Sequence, residues 1–252
     1  MIDFIYVKVL TSAPKFIKKK IKNLRMTTKG NNKENLTGDK PDFMLVEYYD
    51  IFVTQKNKKV AAKNLGEKTA LLNSYFFEYL KGYNIPCAFV KKDDKKEIQV
   101  INVVDFRFRV KILNAADGRT AKIFSIKTGS SLELPILEYH FGESKESVIT
   151  ESHIISFNLC SYEDLKMINR LCSKINAIVK SFFERRNVSL LELTCRFGKF
   201  EGKIYLIDDF SPISIKIVSG KKEEKLPDSY KIDSAAQMNK YSDYLLKLTS
   251  GD

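Results

Sequence analysis

The chain has 252 residues, 44% hydrophobic and 29% charged, the balance of an ordinary globular protein with length for one large domain or two small ones. No apolar run reaches the roughly 18 residues of a membrane span, and the four cysteines form no CxxC pair, which argues against a zinc site or disulfide framework and for a cytoplasmic chain with reduced thiols. A net charge of +12 suits a nucleic acid, a polyanionic small substrate or an acidic membrane, yet the lysines are spread out without interleaved aromatics, so solvated surface outweighs a nucleic-acid groove.

Residues 1–24 are apolar and basic, with Asp3 as the single acid. They read as a loose N-terminal extension rather than a membrane-surface or targeting helix, because the apolar part is short and no small-residue cleavage site follows. Residues 25–40 are polar and suggest a loop or hairpin. "FMLVEYYDIFVTQ" is aromatic and β-branched, hence a strand. In "GEKTALLNSYFFEYLKGYNIPC", Leu71, Leu72, Tyr75, Phe76, Tyr79 and Leu80 follow helical spacing, and Gly82 and Pro86 end the helix. The run "KKDDKKE" at residues 91–97 reads as a solvated connection. "EIQVINVVDFRFRVKIL" reads as two strands, with Phe106, Phe108 and Val110 alternating with Arg107, Arg109 and Lys111. The clearest helix is "SYEDLKMINRLCSKINAIVKSFFERRN", capped by Ser161 with Asp164 three residues on, and striped by Leu165, Ile168, Leu171, Cys172, Ile175, Ile178, Val179 and Phe182. "SLLELTCRFGKFEGKIYLIDDF" follows as a hairpin turning near residues 199–202, and "DSAAQMNKYSDYLLKL" as a last helix. Strand runs interleaved with helices indicate a mixed α+β fold. Cys160, Cys172 and Cys195 read as small core residues, and His140 and His153 as surface or packing residues without a carboxylate partner.

With the helix and "IP" turn, the strands, the long helix and the "FG…G…YLIDDFSP" hairpin in that order, the chain resembles the SAICAR synthetase family, the phosphoribosylaminoimidazole-succinocarboxamide synthases, over roughly residues 25–245. The resemblance implies a two-lobed α+β fold: an antiparallel-sheet lobe over residues 25–112, an α+β lobe over 113–252, and a nucleotide cleft between them. It implies a carbon–nitrogen ligase of purine biosynthesis, joining aspartate to carboxyaminoimidazole ribonucleotide with ATP and Mg²⁺. Carried over by position, Gly30, Lys33, Glu192 and Asp208 match ATP-binding residues. Asn114, Gly118, Arg119, Ser211 and Lys216 fall at substrate-binding positions, and Asp208 and Asp209 at the metal-facing acids. Asp50 matches a family aspartate.

Other positions depart from the family pattern. Asn31 stands for a phosphate-gripping lysine, and Gln55–Lys56 for an Asp-Gly. On the central strand Arg109 replaces a glutamate, Leu113 an arginine and Arg119 a serine. Gly142 replaces a lysine, and Lys145, Glu146 and Ser147 stand where His-Asp-Pro is expected. Thr194 replaces a lysine and Arg196 an acid; Ile213 and Lys216 replace an aspartate and an arginine. Leucine for arginine removes five donors and a bidentate phosphate grip. These departures predict a protein that keeps the frame with little or no ligase turnover. A working divergent synthetase and a non-catalytic protein binding a nucleotide, a phosphorylated small molecule or a partner remain alternatives, as does a homo-oligomer; an RNA-binding module lacks any motif.

Overall fold

The computed structural model describes the backbone of residues 17–20 and residues 43–54, 56, 58–142, 147–207, 210–220 and 226–250. Its first half runs through β1 (Ile17–Lys20), β2 (Phe43–Tyr48), the short hairpin β3 (Ile51–Val53) and β4 (Lys59–Ala61), α1 (Leu65–Lys81), β5 (Phe89–Asp94) and β6 (Glu97–Ile101). Strands β1, β2, β6 and β5 form, in that order, a four-stranded antiparallel sheet. Residues 17–20, expected within a loose extension, are thus its outer strand, with Ile17 opposite Tyr48 and Lys20 opposite Leu45. The physical reason is the edge of β2, whose backbone donors and acceptors would otherwise lack partners.

The second half comprises β7 (Val104–Ala115), α2 (Gly118–Phe124), β8 (Ser131–Phe141), β9 (Val148–Ile149), α3 (Glu151–Ser156), α4 (Tyr162–Glu184), β10 (Val188–Phe200), β11 (Lys203–Leu206), β12 (Ile215–Ser219) and α5 (Ala235–Thr249). Its six-stranded sheet runs β11-β10-β7-β8-β9, with β12 also paired to β10, and every named pairing is antiparallel. The sheets change over between Ile101 and Val104, and β7 runs through residue 112, where a lobe boundary was expected.

One apolar core serves both sheets: α1 packs on β2, β5 and β6, α4 packs on β7, β10 and β11, and the two helices meet. Phe76 of α1 stacks on Phe210 at 5.2 Å and meets Phe182 of α4 edge-on at 5.3 Å. Lys68 of α1 pairs with Asp243 of α5 at 2.6 Å. The start of α1 is pressed onto β2: a Cβ on Gly66 would lie 2.3 Å from the Tyr48 carbonyl oxygen. Asp50 fixes this junction, accepting from the Gly66 amide at 2.9 Å and from Lys96 Nζ at 2.6 Å. Lys96 lies in the connection read as solvated, so that turn holds an inward tie.

Candidate functional site

Strand alternation gives the six-stranded sheet two unlike faces. Phe106, Phe108, Val110 and Ile112 of β7, with Leu193, Cys195 and Phe197 of β10, are buried on the side of α4. Their neighbours in sequence make the other, charged face, and register sets them in rows. Thr194, Lys111 and Glu138 are cross-strand neighbours; so are Arg196, Arg109 and His140; Lys216, Glu192 and Leu113 form a third row.

The charges on this face pair with one another. Lys111 Nζ lies 3.1 Å from Asp117 Oδ2 and 3.2 Å from Glu192 Oε2. Burial pulls the Lys111 pKa down, but the Glu192 and Asp117 carboxylates outweigh it and leave the ammonium above the ordinary lysine value. Asp117 also caps α2, accepting from the Thr120 amide at 2.8 Å. Burial alone would raise its pKa; the Thr120 donors and Lys111 bring it below the usual carboxylate range. Arg119 grips Glu138 Oε1, and His140 Nε2 is 3.3 Å from the other carboxylate oxygen. Burial again pushes Glu138 up, and His140 and Arg119 together hold it down. Arg196 pairs with Asp105 at 3.3 Å, and Arg109 donates to the Gly142 carbonyl at 3.2 Å. Tyr230 sits against Glu192; burial first, then that carboxylate, pushes its phenol well up. His140 Nδ1 is buried without a hydrogen-bond partner among the described residues.

Of the expected ATP-binding residues, Glu192 is buried on this face, 7% exposed. Gly30, Lys33 and Asp208 lie outside the described residues, as does Asp209, so the expected facing of Lys33 and Asp208 across a cleft lies outside them too. The residues flanking the two acids are anchored: the Ile207 amide donates to the Arg196 carbonyl at 3.0 Å, and the Phe210 amide to Asn73 Oδ1 of α1 at 2.7 Å. Lys216 is half-buried opposite Glu192, and Arg119 joins the face through Glu138. Gly118 is exposed and opens α2.

Two expected substrate-side residues are turned inward. Asn114 and Asn176 of α4 exchange amide hydrogen bonds at 2.8 and 2.9 Å, on the core side of the sheet. Ser211 is 2% exposed and closes its own turn. Its Oγ accepts from the Ile213 and Ser214 amides at 3.2 and 3.3 Å, and its amide donates to Ser214 Oγ at 2.8 Å. Asp50, too, has its carboxylate committed, at the α1 junction.

Asp117 and Glu138 were not singled out in the sequence, and Lys111 only as one of the polar residues alternating along its strand. His140, read as lacking a carboxylate, has Glu138 two residues before it on the same strand face. The alternation in "LEYHF" was the signal.

A metal-bound triphosphate needs carboxylates turned to the metal and cations turned to the phosphates. The described part of this face does not fit that demand, since Glu138 and Glu192 already face cations of their own sheet. No three His, Cys, Asp or Glu side chains among the described residues converge as a cation site.

Two antiparallel sheets on one core, the second with a charged face, define an α+β protein. The chain belongs to the SAICAR synthetase family, whose model matches residues 26–240. It is similar to the phosphoribosylaminoimidazole-succinocarboxamide synthase of Clostridium perfringens strain SM101, 26% identical over 232 residues that cover 90% of this chain and 99% of that protein. Among solved structures it is similar in fold to the synthase of that name from Ehrlichia chaffeensis, with a TM-score of 0.75 at 23% identity over 84% of this chain and 93% of the other. A SAICAR synthetase solved in complex with ADP also gives a TM-score of 0.75, at 22% identity over 86% of this chain and 94% of that one.

Proposed function

We propose that this chain keeps the SAICAR synthetase frame as a cytoplasmic protein that binds a phosphorylated small molecule, with little or no ligation of aspartate to carboxyaminoimidazole ribonucleotide. The observation that carries this is the pairing on the charged face. Lys111, Arg119 and Arg196 each face a carboxylate of the same sheet or its edge, where a ligase needs charges preorganised toward reacting groups. Leu113, at the position of the family's phosphate-side arginine, is fully buried. Loss of one well-placed donor typically costs about 10²–10³ in rate. Several such losses in one site are not additive, but they do not restore it.

A working divergent synthetase is the second reading. It is favoured by the 99% coverage of a relative bearing the synthase name and by likeness to a structure holding ADP. Complementation of a purine-requiring bacterial strain that lacks its own synthase separates the two. The expected outcome is no growth without purine; growth that Asp208→Ala abolishes would overturn the proposal.

A further inference from the structure

The outward side of α4 carries a line of cations that packing does not explain. Tyr162, Lys166, Arg170 and Lys174 fall at every fourth position of the helix, and all four are exposed. In the sequence these cations look scattered; the helical repeat gathers them into neighbours. With Asn169 and Glu151 they border a groove of about 570 Å³. Lys166 and Arg170 have no ion pair or hydrogen bond among the described residues. Lys174 commits one of its three donors to the Tyr83 carbonyl, at 2.8 Å. That contact sets Tyr83, 42% exposed, at the far end of the line, and Tyr162, 63% exposed, stands at the near end. The Glu151 carboxylate is held by the Tyr139 hydroxyl at 2.5 Å and the Asn169 amide at 2.9 Å. Of the acids of α4, Asp164 pairs with Lys199 at 2.8 Å, Glu184 with Lys180 at 3.8 Å, and Glu163 with none of the described cations. Like charges four residues apart weaken a helix, so folding gives no reason for the line.

We propose that the outward face of α4 is a docking surface for single-stranded nucleic acid, separate from the charged sheet face and independent of the function read from it. Lys166, Arg170 and Lys174 track the phosphodiester backbone, and unpaired bases stack on Tyr162 and Tyr83. Tyr162 and Lys174 lie twelve residues apart on the helix, about 18 Å, which accommodates roughly four nucleotides. Three cations in line suit a polyanion better than a lone anion, and the tyrosines choose among polyanions. An acidic peptide brings carboxylates without bases to stack, and a duplex keeps its base faces covered; a single strand offers both phosphates and open π-faces.

The test is fluorescence anisotropy of a labelled oligouridine and, separately, an oligothymidine, each titrated with the purified full chain over a series of salt concentrations. Both strands are expected to bind saturably, with Kd of about 10⁻⁶–10⁻⁴ M near physiological salt and a slope of log affinity on log salt of about −2, as three phosphate contacts on a single strand give. Lys166→Gln/Arg170→Gln should bring the slope to about −0.7. Lys92→Gln/Lys95→Gln, which removes the same charge from the β5–β6 hairpin, should leave it unchanged. Tyr162→Ala should weaken binding about five-fold or more at an unchanged slope. All five altered positions are exposed, so the thermal midpoints should stay where they are. Absence of saturable binding, a slope lowered equally by the two double variants, or indifference to Tyr162→Ala would each overturn the site. So would displacement by polyglutamate at equal charge concentration, or a duplex bound as tightly as the single strand.

Discussion

Asn114 is either a ligand-facing residue or half of a buried clasp, and Asn176→Leu distinguishes the two. Asn114 and Asn176 are 7% and 4% exposed, and their amides hydrogen-bond each other twice, at 2.8 and 2.9 Å. Removing one amide strands a buried donor and a buried acceptor on the other, at roughly 1–3 kcal/mol each. The single variant should therefore lose about 2–5 kcal/mol, or roughly 5–15 °C in thermal midpoint for a chain of this size. The double variant Asn114→Leu/Asn176→Leu strands nothing and replaces the clasp with a bulkier apolar pair of the same branched outline. It should be clearly more stable than the sum of the two single losses predicts, with a coupling of about 1–3 kcal/mol. Urea unfolding with an unchanged slope measures all three. A single loss under about 1 kcal/mol, or strictly additive losses, would refute the clasp and return Asn114 to the candidate ligand residues.

Gly66→Ala places a Cβ 2.3 Å from the Tyr48 carbonyl and must push α1 off β2. A loss of about 2–3 kcal/mol is expected from overpacking against backbone, and an unchanged thermal midpoint would contradict the close approach. For Asp50, burial works to raise the pKa, but Lys96 and the Gly66 amide prevail and lower it. A carboxylate whose folded pKa lies below its unfolded value stabilises above the unfolded pKa and loses that contribution as pH falls through the folded one. The gap in thermal midpoint between the native chain and Asp50→Asn should thus be widest near neutral pH and close under acid; a gap that widens on acidification would reverse the assignment.

Elements specified by local pattern were legible in the sequence. In α4 the Ser161 hydroxyl accepts from the Asp164 amide at 3.1 Å, as the cap spacing implied, and the apolar stripe is buried. The β10–β11 hairpin turns where Gly202 supplies positive φ, at 75°. Elements formed by distant pairing were not. β1 is a run of "IKKK", strand-like only because an open edge of β2 receives it. The first part of β8 is mostly exposed, so it carries no two-residue alternation to detect. The site divides the same way. Strand alternation places Glu192 on the charged face, whereas the inward turn of Asn114 depends on a partner 62 residues away and that of Ser211 on the closure of its own turn.

The motif residues that persist here have packing work independent of any reaction. Gly198 lies where a Cβ would stand 2.4 Å from Val103 Cγ2 and 3.0 Å from the Val104 carbonyl, so the second sheet could not close over a larger residue. Phe210 stacks on Phe76 and meets Phe77 edge-on, Ser211 closes the turn, and Pro212 is buried behind it. Selection for a folded chain alone would retain all four. The informative positions are those with little packing duty. Ile213 is an isoleucine left 44% exposed on that same turn, where burial gives no reason for an apolar side chain. Arg109 is half-buried directly opposite another arginine, an opposition of like charges that costs a sheet stability.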